Sequence, residues 1–177
     1  MTVKIIESAT SASLHRRLAE HGIPVDSWGT PPHKGTDDLL AELQSGESEL
    51  AFAKGCLVRQ VNVVSVDVRA VIDQQVVQLT ELRQIFPNGS ERRRSHTSSV
   101  SEKFQPSGEP PSEAMKRALR EELGISSGYT TVSFGVVIET NVSESYPGLL
   151  TSYNLSRYRV WLHRAVIKRH GYTELST

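Results

Sequence analysis

Residues 108–125 read GEPPSEAMKRALREELGI and carry the strongest structural signal in this sequence. Pro111 suits the first position of a helix, where its missing N–H is no loss, and Gly124 suits the position just past the helix end. The residues between them are good helix formers, chiefly Ala, Met, Leu, Arg, Lys and Glu. The segment therefore predicts a helix that begins at Pro111 and ends just before Gly124.

One face of this predicted helix is apolar, and two carboxylates lie on or beside it. At about 100° per residue a broad apolar arc is formed by Ala114, Met115, Ala118, Leu119 and Leu123. Glu122 falls inside the arc and Glu121 lies at its edge. A carboxylate on a buried face is costly unless it is paired or binds a metal. Either Glu122 bends outward to solvent, or the two adjacent carboxylates hold a hard cation such as Mg²⁺.

These residues resemble the Nudix box, whose pattern is G-x5-E-x7-R-E-U-x-E-E-x-G-U, with U an aliphatic residue. The positions that match are Glu109, Arg117, Leu119, Glu121, Glu122, Gly124 and Ile125. Two positions depart from the pattern: Ala118 stands where the family has a metal-binding Glu, and Lys103 stands where the motif begins with Gly. The departures remove one carboxylate from the metal cluster and the glycine from the loop before the helix.

The resemblance implies a fold, a cofactor and a chemistry. The fold would be a Nudix-like α/β/α sandwich of the α+β class, with a mixed sheet. Glu121, Glu122 and Glu109 would bind Mg²⁺ or Mn²⁺, and Arg117 would pair with Glu121 at i,i+4. With Glu121, Glu122 and Arg117 as catalytic residues, the protein would hydrolyse a diphosphate linkage in a nucleoside diphosphate-type substrate. The alternative is a catalytically inactive Nudix-fold ligand-binding or regulatory module.

The remaining sequence divides into three parts. Residues 1–50 form an N-terminal extension with a short strand and two helices, residues 51–165 form the Nudix-like domain, and residues 166–177 form a polar tail. The helices are expected to start at Ser11 or Ser13 and at Thr36. Within the domain, β-branched residues from position 57 to 86 predict a long antiparallel hairpin, and two further strands are expected at 129–140 and 151–162.

Several side chains outside the helix are candidates for binding a phosphorylated substrate. Arg92 and Arg94 lie in a basic run that is either a solvated strand face or a phosphate clamp, and Lys103 follows close behind it. Tyr146 lies in a loop and offers a stacking face, unless it is an ordinary surface tyrosine. Glu102 and Glu81 are candidates to replace the missing metal ligand.

Composition limits the classes of partner. The formal net charge is zero, so no bulk attraction to nucleic acid or membrane is indicated. No apolar run approaches the length of a membrane span. The single Cys56 excludes an internal disulfide and fits a cytoplasmic protein. The expected partner is a phosphorylated small molecule that the sequence does not identify. A homodimer is a further expectation.

Overall fold

The computed structural model describes residues 10–53, 55–81, 83–85, 91–92, 100–105, 108–168 and 170–172. The strand expected at residues 3–6 and the side chain of Arg94 lie outside this part of the chain. Contacts divide the chain into two compact units. Unit 1 comprises Met1–Asn62, Lys103–Glu109 and Val137–Leu155, and unit 2 comprises Val63–Glu102, Pro110–Val136 and Ser156–Thr177.

Three α-helices lie in the described residues: α1 (Ser11–Glu20), α2 (Thr36–Ser45) and α3 (Pro111–Leu123). The first two begin close to their predicted caps. Thr10 caps α1, since its hydroxyl accepts the Ser13 amide at 3.3 Å. At α2 the cap residue is Gly35, whose amide donates to Asp38 at 2.7 Å.

Helix α3 has the predicted bounds. Pro111 occupies its first position, and Gly124 adopts the left-handed conformation with φ of 67°. This conformation turns the chain so that the Ile125 amide donates to Leu119 O at 3.0 Å. The buried residues of the helix include the whole predicted apolar arc, together with Arg117.

Eight strands lie in the described residues: β1 (Glu49–Ala53), β2 (Cys56–Ile72), β3 (Gln75–Gln78), β4 (Gln84–Ile85), β5 (Glu91–Arg92), β6 (Val100–Lys103), β7 (Tyr129–Val142) and β8 (Leu150–Leu162). Six of them form one sheet with the order β1-β2-β8-β7, in which β3 and β6 also pair with β2. Strands β4 and β5 form a separate pair.

The long hairpin has the predicted first strand but a shorter second one. Strand β1 is antiparallel to the start of β2, with Ala53 opposite Cys56, and β3 is antiparallel to its end, with Ile72 opposite Gln75. Asp73 and Gln74 make the turn with φ of 48° and 66°. Strand β3 ends at Gln78, whereas the sequence predicted continuation to residue 86.

The α+β class is confirmed, because the described residues combine three α-helices with a mixed sheet. Each unit has buried apolar residues of its own. In unit 1 they come from α1, α2, β1, β2 and the loop before β8: Leu14, Leu18, Leu39, Leu43, Leu50, Leu57, Tyr146 and Leu149. In unit 2 they include Val64, Val66, Val68, Met115, Leu119 and Val160.

Candidate functional site

The centre of the candidate site in unit 2 is the guanidinium of Arg117. The residue is 9% exposed because α3 turns this face toward its apolar neighbours. Its Nη1 donates to Glu121 Oε2 at 3.0 Å and lies 3.6 Å from Glu102 Oε1. The predicted i,i+4 contact between Arg117 and Glu121 is therefore present, and a second carboxylate from β6 approaches the same guanidinium.

Two carboxylates thus meet at one buried cation. The Glu121 side chain is half-exposed, so one side of it remains in contact with solvent, while the Glu102 side chain is more covered. Glu122, the next residue along α3, is of intermediate exposure. The guanidinium fixes the direction of the Glu121 carboxylate and offsets the repulsion between the two acidic groups.

The position of the missing box carboxylate is closed. Ala118 is completely buried, with a relative exposure of 0%. Within the residues that the structure describes, no three His, Cys, Asp or Glu side chains converge as a metal site would require. The donors that are present still suit a hard cation, because Mg²⁺ is often bound by one or two carboxylates together with waters and substrate oxygens.

Glu109 and Lys103 belong to unit 1. The Glu109 carboxylate accepts the Gln105 amide at 2.9 Å, which supports the loop that precedes α3. Lys103 Nζ lies 3.3 Å from Glu47 Oε2 and 3.5 Å from Glu42 Oε1. The ammonium group is therefore in contact with two carboxylates of its own unit.

The prediction that Tyr146 offers a stacking face to a ligand is wrong. The sequence suggested a ligand-stacking face in a loop, but the residue is fully buried. Its ring packs against Trp28 with 5.1 Å between centroids, and its hydroxyl donates to Glu42 Oε1 at 3.1 Å. The ring is covered because the N-terminal extension packs on this loop, where Trp28 Nε1 also donates to Pro147 O at 2.9 Å.

Of the two arginines that were predicted to bind phosphate, the structure describes only the backbone of Arg92. The backbone of Arg92 lies in β5, opposite Gln84. Its side chain, like Arg94, falls outside the described part of the structure, so a phosphate contact from either stays a prediction.

Sequence reasoning missed a buried polar network around Glu42. This residue is 5% exposed, accepts Arg59 Nε at 3.1 Å and Lys34 Nζ at 2.7 Å, and forms a further hydrogen bond with Arg59 Nη2. Burial acts to raise the pKa of Glu42, but the hydrogen bonds from Lys34 and Arg59 outweigh it and hold the pKa at about 2. A signal was available in the sequence, since Glu42 stands beside Leu43 on the apolar face of α2.

A second missed cluster lies in unit 2, around Asp67. Its carboxylate accepts Arg159 Nε at 2.8 Å, Arg69 Nε at 3.0 Å and Gln78 Nε2 at 2.9 Å. Burial raises the pKa of Asp67, but the hydrogen bonds from Arg69 and Arg159 more than compensate and lower it. The Arg159 guanidinium also lies 5.1 Å from the centre of the Phe134 ring. The cluster joins residues of β2, β3 and β8, and it places two guanidinium groups on one carboxylate.

None of the described helices combines the length and the hydrophobicity needed to cross a bilayer. No protein-family model matches the sequence, and no curated protein matches it.

Several solved structures match this chain, and three of them are described here. The NUDIX domain of Shewanella oneidensis NrtR, in complex with ADP ribose, is 14% identical with a TM-score of 0.40; the match covers 59% of this chain and 61% of that one, less than two thirds of its length. A C. elegans Ap4A hydrolase is 15% identical with a TM-score of 0.38, covering 65% and 74%. Its binary complex is 14% identical with a TM-score of 0.40, covering 64% and 76%. At these identities the similarity assigns no activity to this chain.

Proposed function

We propose that this protein is a metal-dependent hydrolase that cleaves a diphosphate linkage in a nucleoside diphosphate-type substrate. The observation that carries the proposal is the buried Arg117 guanidinium with Glu121 at 3.0 Å and Glu102 at 3.6 Å. In this arrangement Glu102 of β6 supplies a second carboxylate beside Arg117. The next residue, Ala118, is the position at which the resembled family has a metal-binding Glu. A cytoplasmic location, expected from the single Cys56, is part of the same proposal.

In this proposal Glu121 and Glu122 hold Mg²⁺ or Mn²⁺, Glu102 takes the place of the absent box carboxylate, and Glu109 supports the approaching loop. When bound, the ion would neutralise charge on the diphosphate oxygens and help to form the nucleophile from water. Arg117 acts through Glu121, because it holds the carboxylate in one orientation. This preorganisation reduces the conformational entropy that is lost when a ligand binds.

A second candidate function is a ligand-binding or regulatory module that has lost turnover. The burial of Ala118 favours this alternative, because an apolar, fully buried side chain stands where the resembled family has an anionic ligand.

A titration with Mn²⁺, combined with a panel of nucleotide and dinucleotide diphosphates, tests the hydrolase proposal. We expect Mn²⁺ binding in the submillimolar range and Mn²⁺-dependent release of phosphate-containing products. Glu122→Gln should weaken both strongly, because one anionic ligand is lost. The matched control is Glu113→Gln, which removes an exposed carboxylate from the first turn of the same helix, where it pairs with Lys116. Unchanged affinity and turnover in Glu122→Gln would sink the proposal.

Glu102→Gln separates the two candidate functions further. If Glu102 replaces the missing ligand, this variant should also bind Mn²⁺ less tightly than the native protein. A protein that binds nucleotides with the same affinity in the presence and absence of Mn²⁺, and turns none of them over, is instead the binding module.

A further inference from the structure

One face of the sheet in unit 2 stays in contact with solvent. Successive side chains of a strand point to opposite faces of its sheet. In β2 the side chains of Val64, Val66 and Val68 are buried, whereas those of Asp67 and Arg69 are only partly covered. Asp67 and Arg69 therefore lie on the open face.

Strands β8 and β7 continue this face. In β8, Val160 is completely buried, so Arg159 and Trp161 on either side of it point toward solvent. Arg157, two residues before Arg159, shares the face and is exposed. In β7 the Phe134 ring is 55% exposed, and its centre lies 5.1 Å from the Arg159 guanidinium. We call the surface formed by these side chains the arginine face: Asp67, Arg69, Phe134, Arg157, Arg159 and Trp161.

The arginine face has an excess of positive charge. Arg69 and Arg159 both donate to the carboxylate of Asp67, at 3.0 Å and 2.8 Å. Arg157 adds a third guanidinium, so three cations are balanced by one carboxylate. The zero net charge of the chain gives no sign of this excess, because the fold brings arginines of β2 and β8 together. The charge favours an anionic partner.

Apolar side chains border the charged centre. Val132, two residues before Phe134, is 48% exposed, and Val71, two residues after Arg69, is 55% exposed. Val76 pairs with Val71 from β3 and is 58% exposed. Exposed apolar side chains gathered on one face and combined with charge are typical of a protein interaction surface.

A partner that covers this face must satisfy its own backbone hydrogen bonds. Strand β8 lies between β2 and β7, so its amide and carbonyl groups pair within the sheet and do not point out of the face. An α-helix satisfies its backbone internally and is a common layer on a sheet. Four strands spaced about 4.8 Å apart span roughly 15 Å, which accommodates one helix of about 10–12 Å in diameter.

We propose that the arginine face binds an amphipathic helix of a partner protein, with Asp or Glu side chains beside its apolar stripe. The carboxylates pair with Arg157 and Arg159, whose guanidinium groups match carboxylate oxygens in a bidentate geometry. The apolar stripe covers Phe134 and Val132. A second copy of this chain fits the same face less well, because its arginines would meet like charges. Nucleic acid would match the arginines but not the valines.

A synthetic amphipathic helix of about 21 residues, roughly 30 Å long, is the probe. It has Leu at helical spacing, Glu beside the Leu stripe and Gln elsewhere, and its fluorescence anisotropy reports binding. We expect a dissociation constant below about 100 µM that rises with salt. The same peptide with Lys in place of Glu, and a single-stranded RNA oligonucleotide, should each bind at least about tenfold more weakly.

Two charge variants locate the binding surface. Arg157→Glu should weaken binding of the Glu peptide at least about tenfold, because it reverses an exposed charge on the arginine face. The matched control is Lys116→Glu, which changes the net charge equally at a 53% exposed position on α3. Circular dichroism checks that both variants stay folded. Binding should also shift the Trp161 emission to shorter wavelength, because the helix excludes water from the ring.

Three results would overturn the proposal. These are a Glu peptide that does not bind, a Lys peptide or oligonucleotide that binds as tightly, and an equal effect of Arg157→Glu and Lys116→Glu. All of these measurements are made without a diphosphate substrate, so they are independent of the proposed hydrolysis.

Discussion

Glu42 is a buried carboxylate whose charge is stabilised by its neighbours. It is buried with Arg59, which is itself only 4% exposed, and it also accepts hydrogen bonds from Lys34 and Tyr146. A buried ion pair of this kind contributes little net stability relative to an apolar pair. Removing one partner is a different matter, because it leaves the other charge buried without compensation.

Glu42→Gln should therefore lower the free energy of unfolding by about 3 kcal/mol, since Arg59 would stay buried opposite a neutral amide. Urea denaturation followed by tryptophan fluorescence measures the change. The control is Glu47→Gln, whose carboxylate is 42% exposed and pairs with Lys103; it should cost less than about 1 kcal/mol. Similar values for the two variants would contradict the role assigned to burial.

The same residue predicts a pH dependence. The pKa of Glu42 is about 2 in the folded chain against an ordinary value of 4.5, so the folded state binds a proton less readily than the unfolded state. The carboxylate therefore contributes stability above pH 4.5, and this contribution is lost as the pH falls from 4.5 toward 2. We expect the stability difference between the native protein and Glu42→Gln to shrink over that range in urea denaturation at stepped pH. A difference that is constant from pH 6 to pH 2.5 would show that the charge of Glu42 is not involved.

At the scale of elements, helices were easier to predict than strand ends. Both termini of α3 are set by local chemistry, with Pro111 at the first position and Gly124 at the left-handed position after it. Strand β3 ends earlier than expected. All four of its residues are exposed, so no buried face extends it. Part of the predicted continuation, Gln84–Ile85, instead forms the separate strand β4, which pairs with β5.

A pair of glycine variants tests how the N-terminal extension packs on the loop before β8. Gly148 and Gly55 both have φ of 81°, so alanine is strained equally at each position. At Gly148 the added Cβ would overlap the ring of Pro24, whereas nothing lies within 4 Å of it at Gly55.

Gly148→Ala should consequently be less stable than Gly55→Ala by about 2 kcal/mol, the cost of forcing an extra carbon into a packed contact. Thermal unfolding followed by circular dichroism compares the two variants directly. Equal melting temperatures would mean that Pro24 moves away without cost, which would contradict a tight contact between this loop and the extension.

At the scale of the whole molecule, the N-terminal extension is part of a core. Leu14 and Leu18 of α1 and Leu39 of α2 are almost completely buried, in one cluster with Leu57 of β2 and Leu149. The sequence pattern assigned residues 1–50 to an extension that precedes the domain at residues 51–165. Within unit 1, α1 and α2 cover apolar side chains of β1, β2 and the loop before β8, so they stabilise those elements directly.

Deletion of residues 1–46 should therefore expose the remaining members of this cluster to water. We expect the truncated protein to bind the dye ANS strongly and to lose cooperative thermal unfolding, since burying each large apolar side chain contributes about 1.5–3 kcal/mol. Leu18→Ala in the full chain is the graded control, with an expected loss of about 2–5 kcal/mol. A truncated protein that keeps the melting temperature of the full chain would show that the extension is dispensable for folding.

The sequence alone determined the features that depend on neighbours a few residues apart. These are the bounds of α3, its apolar arc and the contact between Arg117 and Glu121, which follows from i,i+4 spacing on a helix. The tertiary structure decided where distant side chains meet. The Tyr146 hydroxyl bonds to Glu42 across 104 residues of sequence, and Glu102 reaches Arg117 from a strand. Such contacts depend on how whole elements pack. The local sequence pattern therefore does not predict which distant element supplies the partner.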